Sequence, residues 1–251
     1  MPEPSVTIKQ GRPKSLLPNR THYCPGCGHG VVHRLLAEII DEWDLRGSCI
    51  GMAPVGCAVL LYQYLDIDAC EAAHGRTSEV AAGIKRARPD KLVFSYQGDG
   101  DLAAIGTNEI VHVANRGEPI SVIFINNAVY GMTGGQMAPT TVPGQKTSTS
   151  PKGRSVKGEG YPLRVCELLA TLEQPAYIER CVIGTPRDIR RTKNAIKKSF
   201  RVQRDLKAFS LVEVLSPCPT YWRVRPTKAA EYIETYMTEI FPPGVIKDTT
   251  K

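Results

Sequence analysis

The sequence predicts an α/β fold built on a doubly wound, mostly parallel sheet. Two observations carry that expectation: unbroken apolar runs of the buried-strand kind at residues 91–97 (KLVFSYQ) and 119–126 (PISVIFIN), and segments of helical period between and around them. Strands that alternate with helices need crossover connections, which lay helices on both faces of the sheet. A chain of 251 residues with 42% apolar content can bury one large core, about 70–75% of its unfolded surface at this size. One domain spanning residues 1–251 is therefore expected.

Residues 29–45 carry Val31, Val32, Leu35, Leu36, Ile39, Ile40 and Trp43 at the spacing of a core-facing helical stripe, with Gly47 as the stop. Residues 48–52 read as a short strand and residues 76–88 as a helix halted by Pro89. Between the strands at 91–97 and 119–126, residues 101–116 form the crossover helix, with Gly117 as its C-terminal stop. Two further strands are expected at 176–182 and 209–215. Thr185-Pro186-Arg187-Asp188 opens a long helix with a capping hydroxyl, a proline in the first turn and an acid three residues on.

A net charge of +7 raises nucleic acid as a partner. The main basic run, 187–207, lies on a helix whose Ile189, Ile196 and Phe200 are expected to face the core, which makes its charges a solvated face. Without basic-aromatic interleaving or a recognised binding motif, no nucleic acid is expected. No run approaches the ~18–20 apolar residues that span a bilayer, and the opening MPEPSVTIKQGRPK lacks the apolar centre of a secretory signal. A cytoplasmic chain without membrane contact is the expectation.

Eight cysteines in a reducing compartment call for a metal or redox explanation. Cys24 and Cys27 form a C-x-x-C flanked by glycines, which suits a thioredoxin-like dithiol, half a zinc site or another soft-metal turn. The preceding SLLPNRTHY makes a poor strand for the first, and no second C-x-x-C follows for the second. Further ligands would be single cysteines brought in by the fold, and Fe–S clusters take four thiolates in this scattered way. Cys166 and Cys181 sit in apolar contexts and are expected to be buried structural thiols. Cys49 and Cys70, near Cys57 in sequence, are the easiest to misassign, and His29 could ligate a metal beside the C-x-x-C but is expected as a polar residue at a helix start.

Gly98-Asp99-Gly100-Asp101 closes one strand and Asn126-Asn127 the next. In open sheets of this type ligands bind beyond the carboxyl ends of the strands. A bare Gly-Asp-Gly is usually a turn, but the second oxygen-rich turn at this spacing makes a two-ended cage. Mg²⁺ takes oxygen ligands in near-octahedral geometry; Asp99, the amide of Asn127 and the carbonyl of Val129 can supply three.

A Gly-Asp-Gly followed after about two dozen residues by Asn-Asn resembles the thiamine diphosphate fingerprint. More closely, the run GDGDLAAIGTNEIVHVANRGEPISVIFINNAVYGMTGGQMAPTT is similar to the β subunits of the 2-oxoacid:ferredoxin oxidoreductases. The resemblance runs from Tyr23-Cys24-Pro25-Gly26-Cys27-Gly28 through Pro54-Val55-Gly56-Cys57 and His74-Gly75-Arg76 to Cys218-Pro219-Thr220. It thins between about residues 160 and 205 and at the C-terminus. It implies a fold of the thiamine diphosphate-binding (diphosphate domain) type, with a cluster-binding segment at about 20–60 and a C-terminal extension at about 216–251. It places Mg²⁺ on Asp99, Asn127 and Val129, and one [4Fe–4S] cluster on Cys24, Cys27, Cys57 and Cys218. Thiamine diphosphate would be met by Val55, Gly56, Cys57, Ala58, His74, Gly98, Gly100, Asp101, Gly131 and Met132, with Arg76 as a neighbour.

The activity so implied is the CoA-dependent oxidative decarboxylation of a 2-oxoacid to acyl-CoA and CO₂, with electrons passed to ferredoxin. No catalytic residue is assigned on this chain, because the ylide-promoting Glu is expected on an α subunit that carries the pyrimidine-binding domain; γ and δ subunits are further expected members. The basic helix would steer an acidic electron carrier. Residues 133–162, rich in Gly, Pro, Ser, Thr and Lys, are expected to cover the active site and touch a partner subunit. MTGGQMAPTT and PVGC look more like the 2-oxoglutarate and 2-oxoisovalerate members, and Gly134 stands where pyruvate-type members tend to carry Lys. Two other readings stay open: a non-oxidative thiamine diphosphate-dependent decarboxylase or synthase subunit, which needs no cluster, and a zinc-stabilised binding protein.

Overall fold

Successive side chains of a strand point to opposite faces, and the central strands use that period to feed two apolar layers. Phe94, Tyr96, Ile123 and Ile125 pack on one face with Leu36, Ile40, Ile196 and Phe200. Val93, Val122 and Phe124 pack on the other with Ala81, Ile110, Val113 and Leu169. The structure is a computed structural model that describes residues 11–250; the leader reading of the first residues falls largely outside the described residues.

In chain order the main elements are α1 (His29–Glu42), β1 (Cys49–Ala53), β2 (Asp68–Glu71), α2 (Thr77–Ala87), β3 (Leu92–Gly98), α3 (Thr107–Asn115), β4 (Ser121–Asn126), α4 (Val156–Glu159), α5 (Val165–Ala170), β5 (Tyr177–Val182), α6 (Pro186–Leu206), β6 (Ser210–Leu215), α7 (Pro219–Trp222) and β7 (Gly244–Asp248). The sheet has seven strands in the order β2-β1-β3-β4-β6-β5-β7. Every neighbouring pair is parallel except β5 and β7. α1 and α6 cover one face, and α2, α3 and α5 the other. The carboxyl ends of β1, β3, β4 and β6 consequently open on the same edge.

The expected capping device of α6 is present: Thr185 Oγ1 accepts the Asp188 N–H at 3.3 Å and Asp188 Oδ2 accepts the Thr185 N–H at 3.0 Å. Three features differ from the sequence expectation. α1 stops at Glu42, and the chain turns at Asp44 in the left-handed region, φ 52°, before Gly47 is reached. The crossover is two pieces: a wide π turn over Gly100–Ile105, then α3 after Gly106. A Cβ on Gly106 would stand 2.2 Å from the Asp101 carbonyl oxygen, so only glycine fits the junction. The strands β2 and β7 are additional. Both are sheet edges with exposed or half-buried residues, which leaves little apolar signal to read. Through β7 the segment after residue 216 returns to the sheet beside β5.

Among the described residues no helix is long and apolar enough to cross a membrane.

Candidate functional site: two adjoining cavities

The turns that follow β1, β3 and β4 enclose a cavity of about 260 Å³. Val55, Gly56, Cys57 and Ala58 line it from the β1 side, and Gly98, Asp99, Gly100 and Asp101 from the end of β3. His74 enters from the turn before α2, while Asn127, Val129, Gly131 and Met132 enter from the turn after β4. Every residue assigned from sequence to the diphosphate, the thiazolium or the metal thus faces this one space. Arg76 does not: its guanidinium pairs with Glu109 and leans on the Ile105 carbonyl at 3.4 Å.

Asp99 is 4% exposed. Its oxygens accept N–H bonds from Gly100 at 2.9 Å and Val129 at 3.1 Å, and the Thr140 hydroxyl at 3.0 Å. Burial pushes its carboxyl up to about 7, against the pull of those donors. The amide oxygen of Asn127 lies 2.7 Å from the Val129 carbonyl oxygen and 3.1 Å from Asp99 Oδ2. Apart from one long bond from the Val129 N–H at 3.4 Å, the Asn127 oxygen meets only acceptors there, and they repel it. A hard cation among them turns the repulsion into coordination; without one, the amide has to turn over and donate. One carboxylate, one amide and one carbonyl oxygen are a donor set that fits Mg²⁺.

The turn that presents Asn127 is held on all sides. Trp222 Nε1 donates to the Asn127 carbonyl at 2.8 Å. Ala128 has a left-handed backbone, φ 58°, and its carbonyl accepts Thr141 Oγ1 at 2.7 Å and Gln145 Nε2 at 2.8 Å.

Asp101, 1% exposed, is fully engaged by protein donors. Oδ1 takes His74 Nδ1 and the Gly75 N–H, both at 2.9 Å, and Oδ2 takes Thr77 Oγ1 and Gln97 Nε2, both at 2.8 Å. Its chemistry is to orient: His74 donates through Nδ1, which leaves Nε2 free. Gly75 has φ +79°, and a Cβ there would stand 2.8 Å from the Ile105 carbonyl carbon. Only glycine passes so close to the π turn.

A second cavity of about 220 Å³ adjoins the first and is lined by Cys24, Cys27, Cys57 and Cys218. Cys57, Asn127, Gly131 and Met132 border both spaces. Burial pushes the Cys27 thiol up to about 11 and those of Cys57 and Cys218 up to about 12. Backbone hydrogen bonds from His29, Met132 and Tyr221 respectively pull the other way. Such N–H donors tune thiolates that hold iron. A Cβ on Gly131 would lie 3.1 Å from Cys57 Sγ and 3.8 Å from Cys218 Sγ, so the bare glycine leaves the sulfurs their room. Among the described residues no three His, Cys, Asp or Glu side chains close on a single point as the ligands of one ion would. The four thiols border one shared volume, and thiolates are the donors an Fe–S cluster takes.

Cys49, Cys166 and Cys181 are buried and Cys70 lies on β2; none of them lines either cavity. His29, the first residue of α1, borders the first cavity and pairs through Nδ1 with the Tyr96 hydroxyl at 2.8 Å. Burial lowers its imidazole to about 3, so it stays neutral.

The groups that hold residues 133–162 against the site carry no motif in the sequence. Thr140, Thr141 and Gln145 brace Asp99 and Ala128, and Arg154, 6% exposed, donates to six carbonyl oxygens of the same segment. Tyr221 packs so closely on Gly135 that a Cβ there would sit 2.4 Å from its ring. Single threonines and a lone arginine in a polar loop carry no local signal of such roles.

Residues 52–214 match the family described as thiamine pyrophosphate enzyme, C-terminal TPP binding domain. The chain is 49% identical over 231 residues to the ketoisovalerate oxidoreductase subunit VorA of Methanothermobacter thermautotrophicus, covering 92% of this chain and 48% of that one. It therefore spans about half the length of that relative. With the 2-oxoglutarate synthase subunit KorB of Methanocaldococcus jannaschii it shares 39% identity over 201 residues, covering 80% of this chain and 70% of that one. Among solved structures, 2-oxoglutarate:ferredoxin oxidoreductase from Magnetococcus marinus, with 2-oxoglutarate, coenzyme A and succinyl-CoA bound, aligns with a TM-score of 0.77 at 23% identity. That alignment covers 98% of this chain and 88% of that chain, a likeness of fold. By the family match and these relatives, the chain belongs to the thiamine pyrophosphate-binding subunits of the 2-oxoacid:ferredoxin oxidoreductases.

Proposed function

We propose that this chain acts as one domain, in the cytoplasm, as the β subunit of a 2-oxoacid:ferredoxin oxidoreductase that binds thiamine diphosphate, Mg²⁺ and one [4Fe–4S] cluster. The reaction is the CoA-dependent oxidative decarboxylation of a 2-oxoacid to acyl-CoA and CO₂, with two electrons leaving singly for ferredoxin. The observation that carries this reading is the wall of Cys57, Asn127, Gly131 and Met132, which separates a pocket of oxygen donors from a pocket of four thiols.

When bound, thiamine diphosphate supplies the carbanion-stabilising and electron-donating chemistry. The chain's own residues hold and shield it. Asp99, Asn127 and Val129 hold the metal that anchors the diphosphate. His74, oriented by Asp101, offers Nε2 to the cavity. Cys57, one of the four thiols that would hold the cluster, and Gly131 also line the cofactor cavity, so a cluster held there would lie beside the cofactor and could take its electrons. Ile105 and Met132, each 52% exposed beside the cavity, form an apolar rim suited to burial under an α subunit that supplies the missing Glu. The names of the relatives favour 2-oxoisovalerate or 2-oxoglutarate as substrate.

Anaerobic purification with co-expressed partner subunits tests the reading. Four iron and four sulfide per chain, bound thiamine diphosphate, and CoA-dependent viologen reduction with one of these two acids are expected. Failure to bind thiamine diphosphate would overturn it, and bound cofactor without iron would favour a non-oxidative decarboxylase.

A further inference from the structure

Glu213 sits at the centre of a group of fully buried side chains that the function above leaves unused. On β6 it is the register partner of Arg180 on β5, and both are 0% exposed. Arg180 Nε donates to Glu213 Oε2 at 2.7 Å, and the Cys166 thiol donates to the same oxygen at 2.9 Å. The other edge of the guanidinium is taken by Glu167, at 3.0 and 2.6 Å.

The second carboxylate oxygen faces the site. Glu213 Oε1 accepts Asn126 Nδ2–H at 2.7 Å, and Asn126 Oδ1 accepts the Ala128 N–H at 3.1 Å. An asparagine amide fits its pocket either way round, whereas an ionised carboxylate only accepts. Glu213 therefore sets which end of the Asn126 amide points at β6 and which at the turn. With Oδ1 directed at Ala128, the turn closes around a left-handed residue that carries a Cβ, a conformation its own chemistry disfavours. That turn brings the Asn127 amide against the Val129 carbonyl and Asp99 and directs the Val129 N–H to Asp99.

We propose that Glu213 is a positioning residue for the metal centre: acting through Asn126, it fixes the turn whose oxygens hold Mg²⁺. The inference rests on the cofactor reading above. It assigns the first asparagine of the Asn-Asn pair to building the turn and the second to binding.

The test is the Mg²⁺ affinity of the purified complex at saturating thiamine diphosphate, read by calorimetry instead of turnover. Glu213→Gln keeps the size but replaces one acceptor by a donor. If the introduced amide oxygen keeps Arg180 and Cys166, its NH₂ meets the NH₂ of Asn126, which has to turn over and abandon Ala128. Mg²⁺ affinity is expected to fall about 10–100-fold, the range for residues that orient metal ligands. The double variant Asn126→Asp/Glu213→Gln restores donor-to-acceptor matching at both contacts without changing the charge of the pair, and is expected to bind Mg²⁺ more tightly than either single variant.

An ion pair that only stabilised the fold would not be rescued in this way. Unchanged affinity in Glu213→Gln, or a double variant no tighter than Glu213→Gln, overturns the proposal. Should Glu213→Gln not fold, Asn126→Ala cuts the link and keeps the ion pair, and unchanged affinity there overturns it equally. A wild-type complex that takes up no Mg²⁺ with thiamine diphosphate would instead defeat the cofactor reading.

Discussion

Asp101 accepts the Nδ1–H of His74 at 2.9 Å across a gap of 27 residues, and so ties the π turn after β3 to the turn before α2. Asp101→Asn keeps the shape but presents an NH₂ to groups that themselves donate. Each buried donor left without an acceptor costs about 1–3 kcal/mol. Urea denaturation is expected to show a loss of about 2 kcal/mol, and titration with thiamine diphosphate an affinity at least about tenfold weaker. Wild-type values on both would remove the orienting role given to Asp101.

Gly131 separates the two cavities by the thickness of a backbone. Gly131→Ala is expected to push on Cys57 Sγ, which a Cβ would approach to 3.1 Å. Iron and sulfide per chain should drop after anaerobic reconstitution, with bound thiamine diphosphate less affected. A full complement of iron in this variant would mean that the sulfurs have slack the geometry does not suggest.

The parts of the site that were legible in the sequence share one property: they are short motifs at strand ends, where the chemistry is set by neighbours in the chain. Asp99 and Asn127 are of this kind. So is the cap of α6, whose Thr185 and Asp188 lie within one turn. Thr140 is not, because it reaches Asp99 over 41 residues through a loop with no periodicity. Ala128 carries no such signal, since alanine rarely adopts positive φ and Thr141, Gln145 and Asn126, distant or polar neighbours, hold it there. The π turn is hidden for a related reason: residues 101–116 have a helical pattern, and the closeness of Gly106 to Asp101 in the fold is what divides the helix.

Glu167 gives the fold a measurable acid limb. Burial alone would raise its carboxyl, but the hydrogen bonds and charge of Arg180 outweigh burial and hold it at about 2, below the ordinary 4.5. The unfolded chain therefore binds a proton that the native chain does not, so the contribution is fully present above about pH 4.5 and is lost as pH falls toward 2. Because Glu167 is partly solvated, the loss is about 1 kcal/mol after allowance for screening. Denaturation midpoints at pH 6 and pH 3 should differ less in Glu167→Gln than in the wild type. Equal differences would show that Glu167 contributes nothing to the acid limb.

Arg154 is the clearest single support of the segment over the cofactor pocket. Its guanidinium donates to the carbonyls of Ala138, Pro139, Thr141, Glu159, Gly160 and Tyr161 at 2.6–3.5 Å. Burial lowers its pKa below the usual arginine range, yet a planar fork of five N–H groups can serve this ring of acceptors in a way that a lysine ammonium cannot. Arg154→Lys leaves several carbonyls unpaired, at about 1–3 kcal/mol each if they stay dry. The segment then opens locally more often than the sheet unfolds, since residues 133–162 contain little regular structure beyond α4. Limited proteolysis should cut Arg154→Lys within residues 133–162 much faster than wild type. Mg²⁺ with thiamine diphosphate should restore part of the protection, because Thr140, Thr141 and Gln145 couple the segment to Asp99 and Ala128. Equal cleavage rates in both proteins would show that the segment is held by its apolar contacts and that the guanidinium is dispensable.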